Sequence, residues 1–225
     1  MAKSFTLLWG SGSTPCWRVM IALEEKQLQG YNQKLLSFAK GEHRSQEVLD
    51  INPRGQLPAF KHGDSILNES YAAVMYIESQ YRSQGTPLIP AGQAEQALMY
   101  QRMFEGQVLF QKLSDIVYYN LRVPEAERHE SAMKRNMETL AAELKMWEGY
   151  LGKMDAGSCL AGKAFSLADV LVFPVVAYAV RYGMSLDRYP LLAAYYNMLK
   201  DRPSIKATWP PHWLEGPGNG AIKDL

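Results

Sequence analysis

The stretch Phe5 to Glu25, FTLLWGSGSTPCWRVMIALEE, constrains the fold more than any other part of the chain. FTLLW is too short and too apolar for an amphipathic helix and reads as a strand, with core on both of its sides. The Gly/Ser turn after it leads to Pro15, a residue pre-shaped for a first helical turn. Cys16, Val19, Met20 and Leu23 then recur at helical spacing as one stripe that packs on the strand, while Arg18, Glu24 and Glu25 fall off it. The turn gathers three small hydroxyls, Ser11, Ser13 and Thr14, beside a helix N-terminus. Negative charge is favoured there, and a hydroxyl can donate a hydrogen bond to a thiolate.

The run Ser13-Thr14-Pro15-Cys16 has the spacing of a C-x-x-C redox site with serine in the first place. In thioredoxin-like proteins the first cysteine of such a site is the attacking thiolate. With serine there, the expectation is a protein that activates a thiol belonging to another molecule. Ser13 has a competing reading as a plain helix cap, and Ser11 and Thr14 are alternative activating hydroxyls. Cys16, on the buried stripe, reads as inert core.

A chain of 225 residues has room for one or two domains with a sizeable core. Lys and Arg number 24 against 23 Asp and Glu, which leaves no electrostatic footprint for nucleic acid or an acidic membrane. Two cysteines and four scattered histidines build neither a disulfide framework nor a zinc site. The apolar runs at the amino terminus and at Val170 to Val180 are too short for a signal peptide core or a bilayer span. The expectation is a cytoplasmic protein with no metal and no nucleic-acid or membrane partner.

Tyr31 to Ser37 reads as a second strand beside the first, completing a strand-helix-strand unit. A small helix is expected near Gln46 to Leu49, behind a basic cluster at Lys40, His43 and Arg44. Leu57 to Lys61 and Ser65 to Leu67 form a hairpin around Gly63-Asp64, with Pro58 at an edge or in a special backbone. Glu69-Ser70 opens a helix that runs to about Tyr81. Two prolines and two glycines in residues 83 to 93 mark a connector, giving domains over 1–84 and 94–225 with a linker at 85–93.

Beyond the linker the pattern is helical throughout. Met99, Met103, Gly106, Phe110, Leu113 and Val117 form one heptad-like stripe, and Met133, Met137, Leu140, Leu144, Trp147 and Leu151 form another, as in a bundle. Tyr100, Phe104 and Val108 give the first of these helices a second apolar side. Ser166 and Asp169 have capping-box spacing ahead of VLVFPVVAYAV, a helix apolar all round and therefore central. Asp169 reads as a capping acid, not a catalytic one. Pro190 starts a further helix, and the Gly-rich end of the tail after TWPPHWLEG reads as frayed.

Ser-Thr-Pro-Cys, Asn-Pro-Arg-Gly-Gln-Leu-Pro, Asn-Glu-Ser and Ser-Leu-Ala-Asp, in that order, resemble the cytosolic glutathione S-transferases over essentially the whole chain. LLWGSGS, CWRVMIALEEK, NPRGQLPAFKHG and RPSIKATWPP look most like the rho class known from fish, within the group that includes theta and zeta. The resemblance implies an α/β thioredoxin-like N-terminal domain followed by an all-α helical-bundle C-terminal domain. It places the thiol-activating hydroxyl at Ser13, with Trp9 near the position where other classes carry a catalytic tyrosine. Pro58 matches the family's cis-proline, and Leu57 before it the residue whose backbone pairs with the cysteinyl part of glutathione. Gln56 matches a neighbouring contact. Glu69 and Ser70 match the pair for the γ-glutamyl amine and carboxylate, and His43, with Lys40 as a weaker candidate, a residue near the glycyl carboxylate.

The implied activity is conjugation of glutathione, as co-substrate and without a metal, to small hydrophobic electrophiles in detoxification by a homodimer. The electrophile is expected between the domains, against the Met103 to Phe110 helix and under the Trp209 to Trp213 tail. Two rival readings are a zeta-like glutathione-dependent isomerase, which Ser13-Thr14-Pro15 in place of Ser-Ser-Cys argues against, and a non-catalytic binder of hydrophobic ligands on the same fold.

Overall fold

The computed structural model of the chain describes residues 4–225. They divide into two compact units: the described residues up to Leu88 together with Pro203–Gly216, and Ile89–Arg202 together with Pro217–Leu225.

In the first unit, β1 (Phe5–Trp9), β2 (Asn32–Leu35), β3 (Ala59–His62) and β4 (Ser65–Ile66) form a sheet of order β2-β1-β3-β4. β1 is central because it is the most apolar of the four, with Leu7 and Leu8 buried. β2 runs parallel to it, with Thr6 opposite Asn32, after the crossover through α1 (Thr14–Glu25). β3 runs antiparallel, with Leu7 opposite Phe60, and turns back into β4 around Gly63-Asp64. The four residues of β2 are exposed, as suits an edge. A 3-10 turn at Glu42–Arg44, α2 (Gln46–Leu49) and α3 (Ser70–Gln80) complete the chain to the connector.

One sequence expectation is corrected here. Arg18 and Glu25 lie off the apolar stripe of α1 yet are 3% and 5% exposed. The helix is covered on more than one side: α3 packs on it, and so does α9 (Pro203–Ala207), brought back from the far end of the chain. Each polar group has a partner where it is buried. Arg18 Nη1 donates to Ser70 Oγ at 3.3 Å and its guanidinium stands over the Tyr71 ring at 5.0 Å, while Glu25 accepts from Ser204 Oγ. Just past α1, Lys26 and Glu78 form a fully buried ion pair at 2.5 Å. Lys26 also donates to Thr86 O at 2.8 Å and Glu78 accepts from Leu88 N, so the pair ties down the chain leaving this unit.

The second unit contains α4 (Gln93–Val117), α5 (Tyr119–Arg122), α6 (Glu130–Leu151), α7 (Leu167–Arg181) and α8 (Pro190–Leu199); α4 and α8 pack on α7, whose residues 167–179 are all buried. α4 contacts both α7 and α6. It buries Met99, Met103, Leu109 and Leu113 and leaves Tyr100, Phe104 and Val108 exposed. The tail beyond Pro217 is not frayed as its glycines suggest. Ile222 is buried and donates from its amide to Tyr182 O at 2.9 Å, and Ser185 N reaches Leu225 O at 3.1 Å.

Asp169 opens α7 and is fully buried. Its carboxylate accepts from Leu160 N at 3.0 Å, Ser166 N at 2.9 Å, Ser166 Oγ at 2.9 Å and Tyr195 Oη at 3.1 Å. Burial pushes the carboxyl above its ordinary range, and these four donors pull it back. The group joins a loop, a helix start and α8 at one point, the position of a capping acid. Asp169→Ala, which orphans all four donors, is expected to cost about 2–4 kcal/mol and to lower the thermal midpoint by several degrees. Asp169→Asn, which keeps one acceptor oxygen, should fall between it and wild type in the same calorimetric scan.

Candidate active site

β1 ends at Trp9, and the chain turns through Gly10, Ser11 and Gly12 into α1, with Ser13 N bonded to Gly10 O at 3.1 Å. Ser13 is the N-cap: its Oγ accepts from Cys16 N at 3.4 Å and its carbonyl accepts from Trp17 N at 3.0 Å. A hydroxyl has one proton and two acceptor positions, so this bond leaves the Ser13 proton available. Thr14 is buried within the helix. Ser11 Oγ lies 2.6 Å from His212 Nδ1. Ser13, favoured by the sequence, and its alternatives Ser11 and Thr14 therefore have three different environments.

Of the other residues singled out by sequence, Leu57, Ser70 and His43 are linked to this turn or to α1 through their neighbours, whereas Gln56, Glu69 and Lys40 make no such link among the described residues. Leu57 is buried, joined to Pro58 by a cis peptide bond, and packs in one cluster with Leu8, Cys16, Leu36, Val48 and Ala59. Ser70, the first residue of α3, is bonded by Arg18 from α1. Glu69, its N-cap, is exposed and paired with Arg54 at 2.6 Å. Gln56 is exposed, and its carbonyl accepts from Asn52 Nδ2 at 2.8 Å. His43 sits in the 3-10 turn before α2 with its ring 5.3 Å from Phe38, and Phe38 in turn lies against Gly10. Lys40 is exposed in the loop before it.

Several buried polar atoms nearby have no hydrogen-bond partner among the described residues: Trp9 Nε1, His43 Nδ1, Ser45 Oγ and Asn68 Oδ1. Such atoms cost about 1–3 kcal/mol each when left unpaired, so their accumulation around α2 and the start of α3 marks a region suited to a polar ligand. Sequence reasoning missed two contributors. Arg18 carries no motif, and only its burial under Ser70 gives it meaning. His212 lies in a proline-rich tail where no motif marks it, and only its bond to Ser11 gives it meaning.

The chain's own sulfur is not part of this chemistry. Burial pushes the Cys16 thiol up to about 11, against smaller opposing effects of the Ser13 side chain and the Gly10 backbone. Burial likewise pushes Cys159 up to about 12. Both cysteines are free. At pH 8 the native protein is expected to give almost no thiol reaction with Ellman's reagent, and two equivalents once denatured; rapid labelling of one thiol in the native state would contradict this placement.

The chain is similar to known proteins over its whole length. Residues 11–86 match the family model of the glutathione S-transferase N-terminal domain, and residues 103–203 that of the C-terminal domain. The chain is 67% identical to glutathione S-transferase A of Pleuronectes platessa over the full length of both. A crystal structure of a glutathione S-transferase from the Antarctic clam Laternula elliptica superposes with a TM-score of 0.87 at 41% identity, covering 98% of this chain and 99% of that one. A glutathione transferase homologue from Sulfitobacter, solved with bound glutathione, superposes with a TM-score of 0.77 at 25% identity, covering 91% and 96%. A four-stranded sheet with Ser13 at the first helix start, the helical second unit and these matches together show that the chain belongs to the glutathione S-transferase family.

Proposed function

We propose that this glutathione transferase ionises the glutathione thiol at Ser13 and delivers the thiolate to small hydrophobic electrophiles, as a cytoplasmic detoxifying enzyme of the fish rho class. The single observation that carries the assignment of Ser13 is its cap geometry. Its oxygen caps the helix by accepting from Cys16 N, and it stands at the N-terminus of α1 with a hydroxyl able to donate in turn. Thr14 is buried in the helix, and Ser11 is engaged with His212.

The remaining residues divide the tripeptide among them. Leu57 offers its backbone to the cysteinyl unit, beside Gln56. Ser70 and the start of α3 take the γ-glutamyl carboxylate, with the buried Arg18 cation behind Ser70 adding to the pull on that charge. Glu69 takes the amine; its pair with Arg54 is exposed, so the exchange of partners is cheap. His43 serves the glycyl carboxylate, and its buried, unpartnered Nδ1 supports that role.

Once bound, the thiol gives up its proton to solvent, the Ser13 hydroxyl donates to the resulting thiolate, and the sulfur bonds to the electrophilic carbon as the leaving group, halide in the case of an aryl halide, departs with its electron pair. A free thiol titrates near ~8.5, and lowering it to about 6.5 needs roughly 2.7 kcal/mol of preference for the anion. One charge-assisted hydrogen bond, about 1.5–3 kcal/mol, and a helix N-terminus, about 0.3–1 kcal/mol, are sufficient together. No metal and no covalent enzyme intermediate enter this scheme.

Ser13→Ala is expected to raise the pKa of the bound thiol and to slow conjugation of an aryl halide by about one to three orders of magnitude, with smaller change in glutathione affinity. A pH-rate profile that is the same in variant and wild type removes Ser13 from the role. The compartment is supported by two free cysteines and by the finding that no helix among the described residues is long and apolar enough to cross a membrane. Homodimerisation is supported by the exposed face of α4, where Tyr100, Phe104 and Val108 are 41%, 58% and 46% exposed. Phe104→Glu should shift the sedimentation coefficient toward the monomer; an unchanged dimer, or a monomeric wild type, speaks against this face.

A further inference from the structure

The segment Pro203–Gly216 folds with the first unit and ends against the turn that presents Ser13. It is anchored to α1 on the way. Thr208 Oγ1 accepts from Trp17 Nε1 at 2.8 Å and donates to Ser204 O at 2.8 Å. Trp209 and Trp213 meet the Trp17 ring edge-on, with centroids 5.1 and 5.5 Å away. Trp17 is the residue next to Cys16 in the first turn of α1, so the tail and the helix start are one packed body. Pro210 and Pro211 restrict the chain between the two tryptophans, and the 3-10 turn Pro211–Leu214 then sets His212 over the glycine turn.

Two contacts fix the result. His212 Nδ1 lies 2.6 Å from Ser11 Oγ, a hydrogen bond spanning 201 residues of sequence. Gly12 has φ +76°, and a Cβ built on it comes within 2.5 Å of His212 Cε1 and 3.1 Å of Trp213 Nε1. A side chain at position 12 would have to displace the His212 ring, and the positive φ there would strain it besides.

We propose that His212 is a positioning residue for thiol activation: through its bond to Ser11 it holds the turn in the one arrangement that points the Ser13 hydroxyl at the glutathione sulfur. The proposal rests on the role of Ser13 argued above. A turn of two glycines and two serines is costly to order, and a donor displaced by ~1 Å can lose on the order of a hundredfold in rate. The Ser11–His212 bond lies two residues from Ser13 and supplies the missing restraint. It divides the two serines between two tasks, Ser11 engaged with the tail and Ser13 facing the substrate. The C-terminal tail thereby acts on the acidity of a thiol that it need not touch.

The test uses the full chain and compares wild type with His212→Ala, Ser11→Ala, the double variant and His212→Asn. Thiolate absorbance gives the pKa of bound glutathione, and steady-state conjugation gives kcat and KM. His212→Ala and Ser11→Ala are each expected to raise the bound-thiol pKa by about half to one unit and to lower kcat roughly tenfold, with KM for glutathione within about twofold of wild type. The double variant should be no worse than either single one, because both remove the same bond. His212→Asn, whose amide can occupy the place of Nδ1, should recover most of kcat. Single variants that keep the wild-type thiol pKa and kcat, even with a lower melting temperature, overturn the proposal, since the contact then serves stability alone. Should Ser13→Ala also leave both quantities unchanged, the role of Ser13 fails and this proposal with it, which separates the two failures.

Discussion

The hydrogen bond from the Cys16 amide to Ser13 Oγ, at the point where β1 gives way to α1, is the interaction on which the site depends. It performs two tasks with one oxygen. It satisfies an amide at the helix start that otherwise has no intrahelical partner, and it orients a hydroxyl whose proton is still to be given away. A cysteine in the same place would carry the reactive sulfur itself. In the function proposed above, serine there makes the site one that receives a thiol, and the burial that pushes Cys16 to about 11 keeps that cysteine in its protonated form.

The rest of the first unit can be understood as support for that oxygen. The sheet sets the end of β1, and Leu57 packs with Cys16 and Leu8 in a single cluster. Arg18 reaches from α1 to Ser70 and so ties the two helix starts together from beneath. That arrangement puts a buried cation behind one helix N-terminus and a cap hydroxyl at the other, a distribution matched to an extended ligand with anionic groups. The tail closes over the turn through His212 and Trp213. A scaffold that fixes a donor before its ligand arrives avoids spending binding energy on ordering it.

What the sequence made legible was whatever has a local cause. The strand-helix start, the hairpin at Gly63-Asp64 and the small helix Gln46–Leu49 all follow from turn residues and periodicity, and they lie where those signals put them. Asp169 is the clearest case: its spacing from Ser166 identifies a capping acid, and the structure gives it four donors and no route to solvent. What escaped was whatever depends on contacts distant in sequence. Arg18 looked like a surface residue because the apolar stripe of α1 describes only one of its packed sides. His212 and Ile222 looked like tail residues because glycine and proline signal turns but say nothing about what the chain returns to. Of the three hydroxyls of the SGST run the sequence favours Ser13 and leaves Ser11 and Thr14 as alternatives, and their partners in the structure set the three apart.

The measurement that tests the account most directly is a crystal structure of the enzyme with glutathione bound. The account predicts the glutathione sulfur within hydrogen-bond reach of Ser13 Oγ, with Leu57 paired to the cysteinyl backbone and the γ-glutamyl carboxylate at Ser70. A sulfur placed on another hydroxyl, or a tripeptide bound away from Leu57 and Ser70, would contradict it.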